Sequence, residues 1–109
     1  MVRFRIDPRK GELQVLGHAG YAEKGSDPVC AGVSTLALTL CRCMEELAAV
    51  GAVRILALAA EPGAAFVHCQ PLPGHGEQAE EAFRVIAAGL RLLAKEYPGY
   101  VEEAGEGRE

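Results

Sequence analysis

The stretch around which this chain is organised is GHAGYAEKGSDPVCAGVS, residues 17–34. It begins with a glycine and a histidine, passes through a loop broken by glycines, and reaches a cysteine where the sequence becomes helical. Histidine and cysteine can act as the base and the nucleophile of thiol catalysis. The sequence therefore predicts a candidate site at His18 and Cys30, which a movable loop can bring together, although the spacing alone does not establish contact.

The dipeptide Asp27-Pro28 predicts the start of a helix. Aspartate is a preferred N-cap, and proline suits the first helical position because its missing N–H would be unpaired there. Cys30 then occupies the third helical position, where the partial positive charge of the helix N-terminus favours thiolate over thiol. Ser34 lies one turn later on the same face, within reach of the sulfur or of a bound carbonyl oxygen.

Length and charge set the outer limits. The 109 residues fit one domain with a single core. A net charge of −4 disfavours a nucleic-acid groove and suits a basic protein or peptide as partner. The sequence has no apolar run of bilayer-spanning length and no apolar segment typical of a signal peptide. We therefore expect a cytoplasmic protein with no direct nucleic-acid partner and no membrane partner.

The cysteines raise the question of a metal site or a disulfide. Cys41 and Cys43 are two positions apart in a helical pattern, so they point to different faces, and paired CxxC spacing is lacking. A cytosolic location argues against disulfides. We expect no metal and no cofactor, and we expect Cys41, Cys43 and Cys69 to behave as small buried hydrophobes.

Hydrophobic periodicity predicts the secondary structure. Strands are expected at residues 2–7, 13–17, 54–60 and 64–69, and helices at residues 28–50 and 77–97. Residues 100–102 are either a further short strand or a packed segment. The order β-β-α-β-β-α predicts an α+β fold with one antiparallel or mixed sheet packed against two helices. One domain is expected over residues 1–103, with a flexible C-terminal tail at residues 104–109.

Each site residue also has a structural interpretation. Asp27 is either only a helix cap or also a group that orients His18. Ser34 is more often a small residue packed under a loop. Tyr21, at the loop tip, either contacts a substrate or anchors the loop. The two remaining histidines are expected to be structural or solvated, with the second an outside candidate for a base: His68 and His75.

Taken together, GHA at residues 17–19 and G-x-D-x-V-C-A-x-V-S at residues 25–34 resemble the signature of the Prp family. The members of this family are ribosomal-processing cysteine proteases, and the family was formerly described as a domain of unknown function. The eleven residues between the histidine and the cysteine match the family spacing, and the resemblance covers nearly the whole chain. Two positions depart from the pattern: Pro28 replaces a bulky aliphatic residue, and Gly32 replaces alanine.

The resemblance implies a cysteine endopeptidase that removes a short N-terminal extension from a bacterial large-subunit ribosomal protein. It implies His18 and Cys30 as the catalytic dyad, with Asp27 and Ser34 as supporting residues. It also implies a homodimer, and a mobile loop, residues 19–26, that becomes ordered over the N-terminal peptide of the precursor. The substrate-loop residues are Ala19, Gly20, Tyr21, Gly25 and Ser26.

The chemistry expected from these residue types is attack by the Cys30 thiolate, with His18 moving the proton. Unpaired backbone N–H groups at the helix start are expected to meet the developing oxyanion. An extended peptide can lie along a sheet edge. The alternative is a non-catalytic, ribosome-associated peptide-binding module in which Cys30 is a structural or redox thiol. Selective alkylation of Cys30 distinguishes the two.

Overall fold

The computed structural model describes residues 1–104, which form a five-stranded sheet and two long helices. The α+β class and the predicted element order are confirmed, with one strand added at the end. The elements are β1 Val2–Asp7, β2 Glu12–Leu16, α1 Pro28–Ala49, β3 Val53–Glu61, β4 Ala64–Pro71, α2 Gly76–Glu96 and β5 Val101–Glu103.

The strand order across the sheet is β3-β4-β2-β1-β5. Neighbouring strands are antiparallel except for β5, which runs parallel to β1 and pairs Val101 with Val2. The sheet is therefore mixed, and the segment at residues 100–102 contributes to a strand rather than only packing down. The pairing of β2 with β4 joins strands on either side of α1 in the sequence.

Each strand turns one face toward the helices, as its alternating sequence predicts. In β1 the apolar residues Val2, Phe4 and Ile6 are buried, while the arginines between them are exposed. The helices complete the same core with their apolar stripes. The buried helix residues include Val29, Val33, Leu40, Met44, Phe83 and Leu90.

The two helices approach closely where a glycine of one meets a leucine of the other. A Cβ added at Gly89 of α2 would lie 2.8 Å from Cδ2 of Leu36, and one added at Gly32 of α1 would lie 3.4 Å from Cδ1 of Leu93. Gly32, at which the family pattern has alanine, therefore lies at the contact between α1 and α2. Within residues 1–104 neither helix combines the length and apolarity needed to cross a bilayer.

The C-terminal end of the described chain returns to the sheet. The N–H of Ala104 donates to the carbonyl of Phe4 at 2.7 Å, just after β5 ends. The tail predicted at residues 104–109 lies, apart from Ala104, outside the described residues.

Candidate active site

The start of α1 places Cys30 as predicted, at the third helical position. Asp27 is the N-cap, and its Oδ1 accepts the N–H groups of Val29 at 2.9 Å and Cys30 at 3.0 Å. Pro28 occupies the first helical position, where no N–H is missed. The half-buried Cys30 side chain is thus held by a rigid helix rather than by a loop.

The second oxygen of the Asp27 carboxylate holds the loop. Oδ2 accepts the N–H groups of Tyr21 at 2.9 Å and Ala22 at 3.1 Å. Burial alone would raise the pKa of Asp27, but the four backbone hydrogen bonds favour the charged form, and the pKa falls below its usual 3.8. All four donors are backbone groups, so the contacts of this carboxylate support a role as a cap and a loop anchor.

Asp27→Asn is expected to destabilise the protein at pH 7, and the difference from the parent should shrink as the pH falls. The folded pKa is depressed, so the stabilisation is present above the unfolded value near 3.8 and is lost as the pH falls through the folded value. Melting temperatures between pH 7 and pH 3 measure this. Glu45→Gln, at an exposed position of α1, is the control, and a constant difference at position 27 would contradict the prediction.

The first residue of the loop contacts the sulfur. The backbone N–H of Ala19, a buried residue, donates to Sγ of Cys30 at 3.1 Å. Ala19 follows His18 directly in the chain, so this bond brings the end of β2 against the start of α1.

His18 is exposed and lies against the turn between β3 and β4. The chain leaves β2 through Gly17, whose φ is +98°, and the Gly17 N–H donates to the carbonyl of Gly63 at 2.9 Å. A Cβ added at Gly63 would lie 2.7 Å from Nε2 of His18. The residue at position 63 therefore limits where the imidazole can lie. The strands predicted at residues 54–60 and 64–69 leave residues 61–63 as their connection, but no local signal in the sequence reports a contact with a distant histidine.

One cavity of about 660 Å³ contains both candidate catalytic side chains. Its apolar residues include Val2, Val15, Val33, Ala37 and Ala65. Six of the residues that the sequence singled out line it: His18, Gly20, Gly25, Asp27, Cys30 and Ser34. The sequence missed Leu38 and Glu61 in the same wall, and it placed Lys24 in the substrate loop without naming it as a site residue. Their positions depend on how the loop, α1 and the β3–β4 hairpin meet, which periodicity does not report.

Tyr21 and Ser26 have roles within the loop itself. The Tyr21 ring packs against Tyr97 and Tyr100, with centroid distances of 5.6 Å and 5.2 Å. Of the two alternatives for Tyr21, these contacts match the loop anchor. Ser26 donates its hydroxyl to the carbonyl of Glu23 at 3.2 Å and closes a turn in the loop.

The expectation that unpaired amides at the helix start would meet an oxyanion is wrong for the first turn. Val29 and Cys30 donate their N–H groups to the Asp27 carboxylate, and Ala31 donates to the Asp27 carbonyl at 3.0 Å. Pro28 has no N–H to offer. Asp27 therefore accepts the first backbone N–H groups of α1. The amide that contacts Sγ of Cys30 is the N–H of Ala19.

The other three cysteines lie in or beside the core. Cys41 and Cys69 are buried and Cys43 is half-buried, and all four thiols are free. Burial raises the pKa of each of these three, with Cys69 raised to about 11. Among residues 1–104 no group of three or more His, Cys, Asp or Glu side chains is arranged to hold a metal ion.

Iodoacetamide at pH 7 is expected to alkylate Cys30 well before Cys41, Cys43 and Cys69. A thiol with a pKa of about 11 is only about 0.01% ionised at this pH, whereas Cys30 lines an open cavity. Tryptic peptides are analysed by tandem mass spectrometry over a time course, because residues 25–42 form one peptide and fragmentation is needed to separate Cys30 from Cys41. Labelling of half-buried Cys43 as fast as Cys30 would argue against an activated thiol at position 30.

The remaining histidines lie in other parts of the described chain. His68 on β4 approaches Glu12, with Nε2 3.4 Å from the carboxylate on the sheet face that the helices leave open. His75 precedes α2 and its Nδ1 lies 2.8 Å from Oε1 of Gln78. Both sets of contacts fit the structural interpretation of these residues.

Known structures share this architecture. A ribosomal processing protease Prp from S. aureus, in complex with a covalently linked product peptide, superposes with a TM-score of 0.72 at 17% identity, covering 94% of each chain. The same protease with a substrate peptide gives 0.67 at 16% identity, covering 97% of this chain and 100% of that one. SMU.848 from Streptococcus mutans gives 0.63 at 29% identity, covering 94% and 89%.

Sequence comparison identifies the family. No curated protein sequence matches this chain closely enough to count as a relative. The family described as "Cysteine protease Prp" matches residues 1–102, which is almost the whole described chain. This match confirms the resemblance carried by residues 17–34, and the chain therefore belongs to the Prp family of cysteine proteases.

Proposed function

We propose that this chain is an endopeptidase in which Cys30 is the nucleophile and His18 is the general base and acid. The observation that carries the proposal is that both side chains line one cavity, although they come from different elements. The family supplies the reaction class. The two residue types supply the nucleophile and the proton carrier that thiol catalysis requires.

In the proposed reaction, Sγ of Cys30 attacks the scissile carbonyl carbon and forms a C–S bond, while His18 takes the thiol proton. As the C–N bond breaks, His18 returns that proton to the departing amine. Water then attacks the acyl group and gives a proton to His18. The C–S bond breaks, the thiol is restored and the acid is released. These steps need no metal ion or cofactor.

The Ala19 N–H is the proposed donor to the oxyanion. It lies 3.1 Å from Sγ, so the carbonyl oxygen of an acyl group on that sulfur falls within reach of the same donor. Ser34, which is exposed in the cavity one helical turn after Cys30, can supply a second hydrogen bond. Asp27 supports the site by holding both the loop and the helix start.

We propose that the substrate is the precursor of a bacterial large-subunit ribosomal protein, from which an N-terminal extension is removed in the cytoplasm. The shared fold with a ribosomal processing protease from S. aureus supports this assignment. A net charge of −4 suits the basic termini typical of ribosomal proteins. The apolar part of the cavity suits an apolar side chain of the peptide.

The geometry around the cavity supports an extended peptide. β3 is an edge strand, and its last residues, Ala60 and Glu61, belong to the cavity wall. A peptide bound in the cavity can therefore continue along this edge by backbone hydrogen bonds. The loop at residues 19–26 forms part of the wall through Gly20, Lys24 and Gly25, so it would contact the same peptide.

We also propose that the chain acts as a homodimer, as the family resemblance implies. The exposed side chain of Leu56 on β3 supports self-association, because exposed apolar side chains favour protein–protein contacts.

The function is tested with the ribosomal protein precursor encoded in the same genome, incubated with the purified protease and measured by intact mass. The expected result is a loss of mass equal to that of the N-terminal extension. The mature form, produced without the extension, is the control and should stay unchanged. A precursor that remains intact under conditions where a peptide library is cleaved would overturn the substrate assignment and leave the peptidase assignment in place.

A further inference from the structure

Three tyrosines form an aromatic cluster beside the candidate active site: Tyr21, Tyr97 and Tyr100. The ring of Tyr21 meets Tyr97 at a centroid distance of 5.6 Å and an interplanar angle of 81°. It meets Tyr100 at 5.2 Å and 76°. Both pairs have the edge-to-face geometry that aromatic rings favour. One loop side chain is thus held by two rings from the far end of the chain.

The two receiving rings are fixed to the body of the protein. Tyr97 follows α2 directly and packs against the core. The N–H of Tyr100 donates to the carbonyl of Tyr97 at 3.0 Å, and the carbonyl of Tyr100 accepts the N–H of Val2 at 2.9 Å. The tyrosine cluster therefore connects the loop at residues 19–26 to the sheet and to α2.

Hydrogen bonds to the start of α1 hold the first half of the loop as well. Ala19 bonds to the sulfur of Cys30, and the Asp27 carboxylate accepts the backbone N–H groups of Tyr21 and Ala22. The exposed residues from 22 to 26 include Lys24 and Gly25, which line the cavity. The loop therefore forms one wall of the cavity when the Tyr21 ring packs against Tyr97 and Tyr100.

We propose that Tyr97 and Tyr100 are positioning residues, which hold Tyr21 and thereby favour the position of the loop at residues 19–26 in which it forms a wall of the substrate cavity. The kinetic consequence rests on the proposed function. A loop that is ordered before the peptide arrives loses less conformational entropy on binding. Removing the cluster should therefore raise KM for the precursor and leave kcat little changed, because binding weakens while the reacting groups stay in place.

Tyr100→Leu tests the kinetic consequence. It removes a ring that is 37% exposed and keeps an apolar side chain, so the fold should tolerate it. The expected result is a KM raised about tenfold, with kcat within about twofold of the parent. Tyr100→Phe keeps the ring and should restore the parent KM. Phe66→Leu, on the exposed sheet face at 41% exposure, is the matched control and should leave both constants unchanged.

Limited trypsin digestion tests the loop without using activity. Lys24 is an exposed trypsin site within the loop, and cleavage there requires the loop to leave its position. Tyr100→Leu is expected to speed cleavage at Lys24 about tenfold, while Phe66→Leu should not. Tyr21→Leu should have the same effect, and the double variant of Tyr21 and Tyr100 should add little to either single change.

The outcomes distinguish the positioning role of the tyrosine cluster from the proposed protease function. Unchanged cleavage at Lys24 in both leucine variants would overturn the positioning role, whatever the protease activity. Faster cleavage with an unchanged KM would overturn it as well, because the cluster would then hold the loop without aiding binding. A parent protein that cleaves no precursor would defeat the proposed function, while the digestion result would still decide whether the cluster holds the loop. Melting curves check that the Tyr100→Leu variant is folded. If that variant is unfolded, Tyr21→Leu provides the same test, because Tyr21 is 47% exposed and its replacement should be tolerated.

Discussion

Cys30→Ala is expected to abolish cleavage of the ribosomal protein precursor and to leave the fold intact. Removing the nucleophile of a covalent mechanism typically costs at least about 10⁴-fold in rate. The helix start depends on the Cys30 backbone N–H, which donates to Asp27, and not on its sulfur. The side chain is small and half-buried, so the change in the free energy of unfolding should be within about 1 kcal/mol. Intact mass of the precursor over time gives the rate, and circular dichroism checks the fold.

Cys43→Ala provides the matched control, because Cys43 is also a half-buried cysteine of α1 but lies further along the helix. It should process the precursor at the parent rate. Cys30→Ser should be nearly as inactive as the alanine variant, since a serine hydroxyl is a much weaker nucleophile than a thiolate at neutral pH. Substantial processing by Cys30→Ala would remove this residue from the mechanism.

His18→Ala is expected to lower kcat by about 10²- to 10⁴-fold, the usual contribution of a general acid and base. The imidazole is exposed, so its removal should leave the melting temperature close to that of the parent. The same precursor assay measures the loss. A bell-shaped pH profile in the parent that loses a limb in His18→Ala would identify the group directly.

His68→Ala and His75→Ala are the controls for this prediction. His68 contacts Glu12 on the exposed sheet face, and His75 contacts Gln78 at the start of α2. Both variants should retain the parent kcat. If His75→Ala were inactive and His18→Ala active, the base would have to be reassigned to the loop before α2.

The parts of the fold that local chemistry determines were predictable from the sequence. The aspartate and proline at residues 27–28 define the first turn of α1 to the residue, because capping involves only neighbouring backbone groups. Apolar periodicity likewise located both helices and the first four strands to within a few residues. Cys30 could therefore be placed on the first helical turn before any coordinates were known.

Long-range contacts were not predictable in this way. The order β3-β4-β2-β1-β5 depends on pairing across α1, which no single segment encodes. β5 has only three residues, too few for a period-2 pattern to identify. The shared cavity of His18 and Cys30 depends on how the β3–β4 turn and the loop meet. The spacing of the two residues permitted this arrangement but did not require it.

The helix cap and the expected oxyanion donors depend on the same backbone amides, which cannot be both paired and free. Asp27 was correctly predicted to cap the helix, and a cap uses the N–H groups of the first turn. Those amides were nevertheless expected to remain free for a substrate. For Tyr21 the sequence left two roles open, contact with a substrate and anchoring of the loop. Its contacts with Tyr97 and Tyr100 match the anchoring role.

The contact between Gly63 and the imidazole restricts how this protease can be re-engineered or diversified. A side chain at position 63 would start 2.7 Å from Nε2 of His18 and would displace the exposed imidazole, and the φ of +80° at that residue also disfavours residues other than glycine. Hairpin grafts, tags or shortened turns inserted between β3 and β4 must therefore preserve that glycine and its approach to the histidine. Family members with a different β3–β4 turn would need other contacts to position the imidazole.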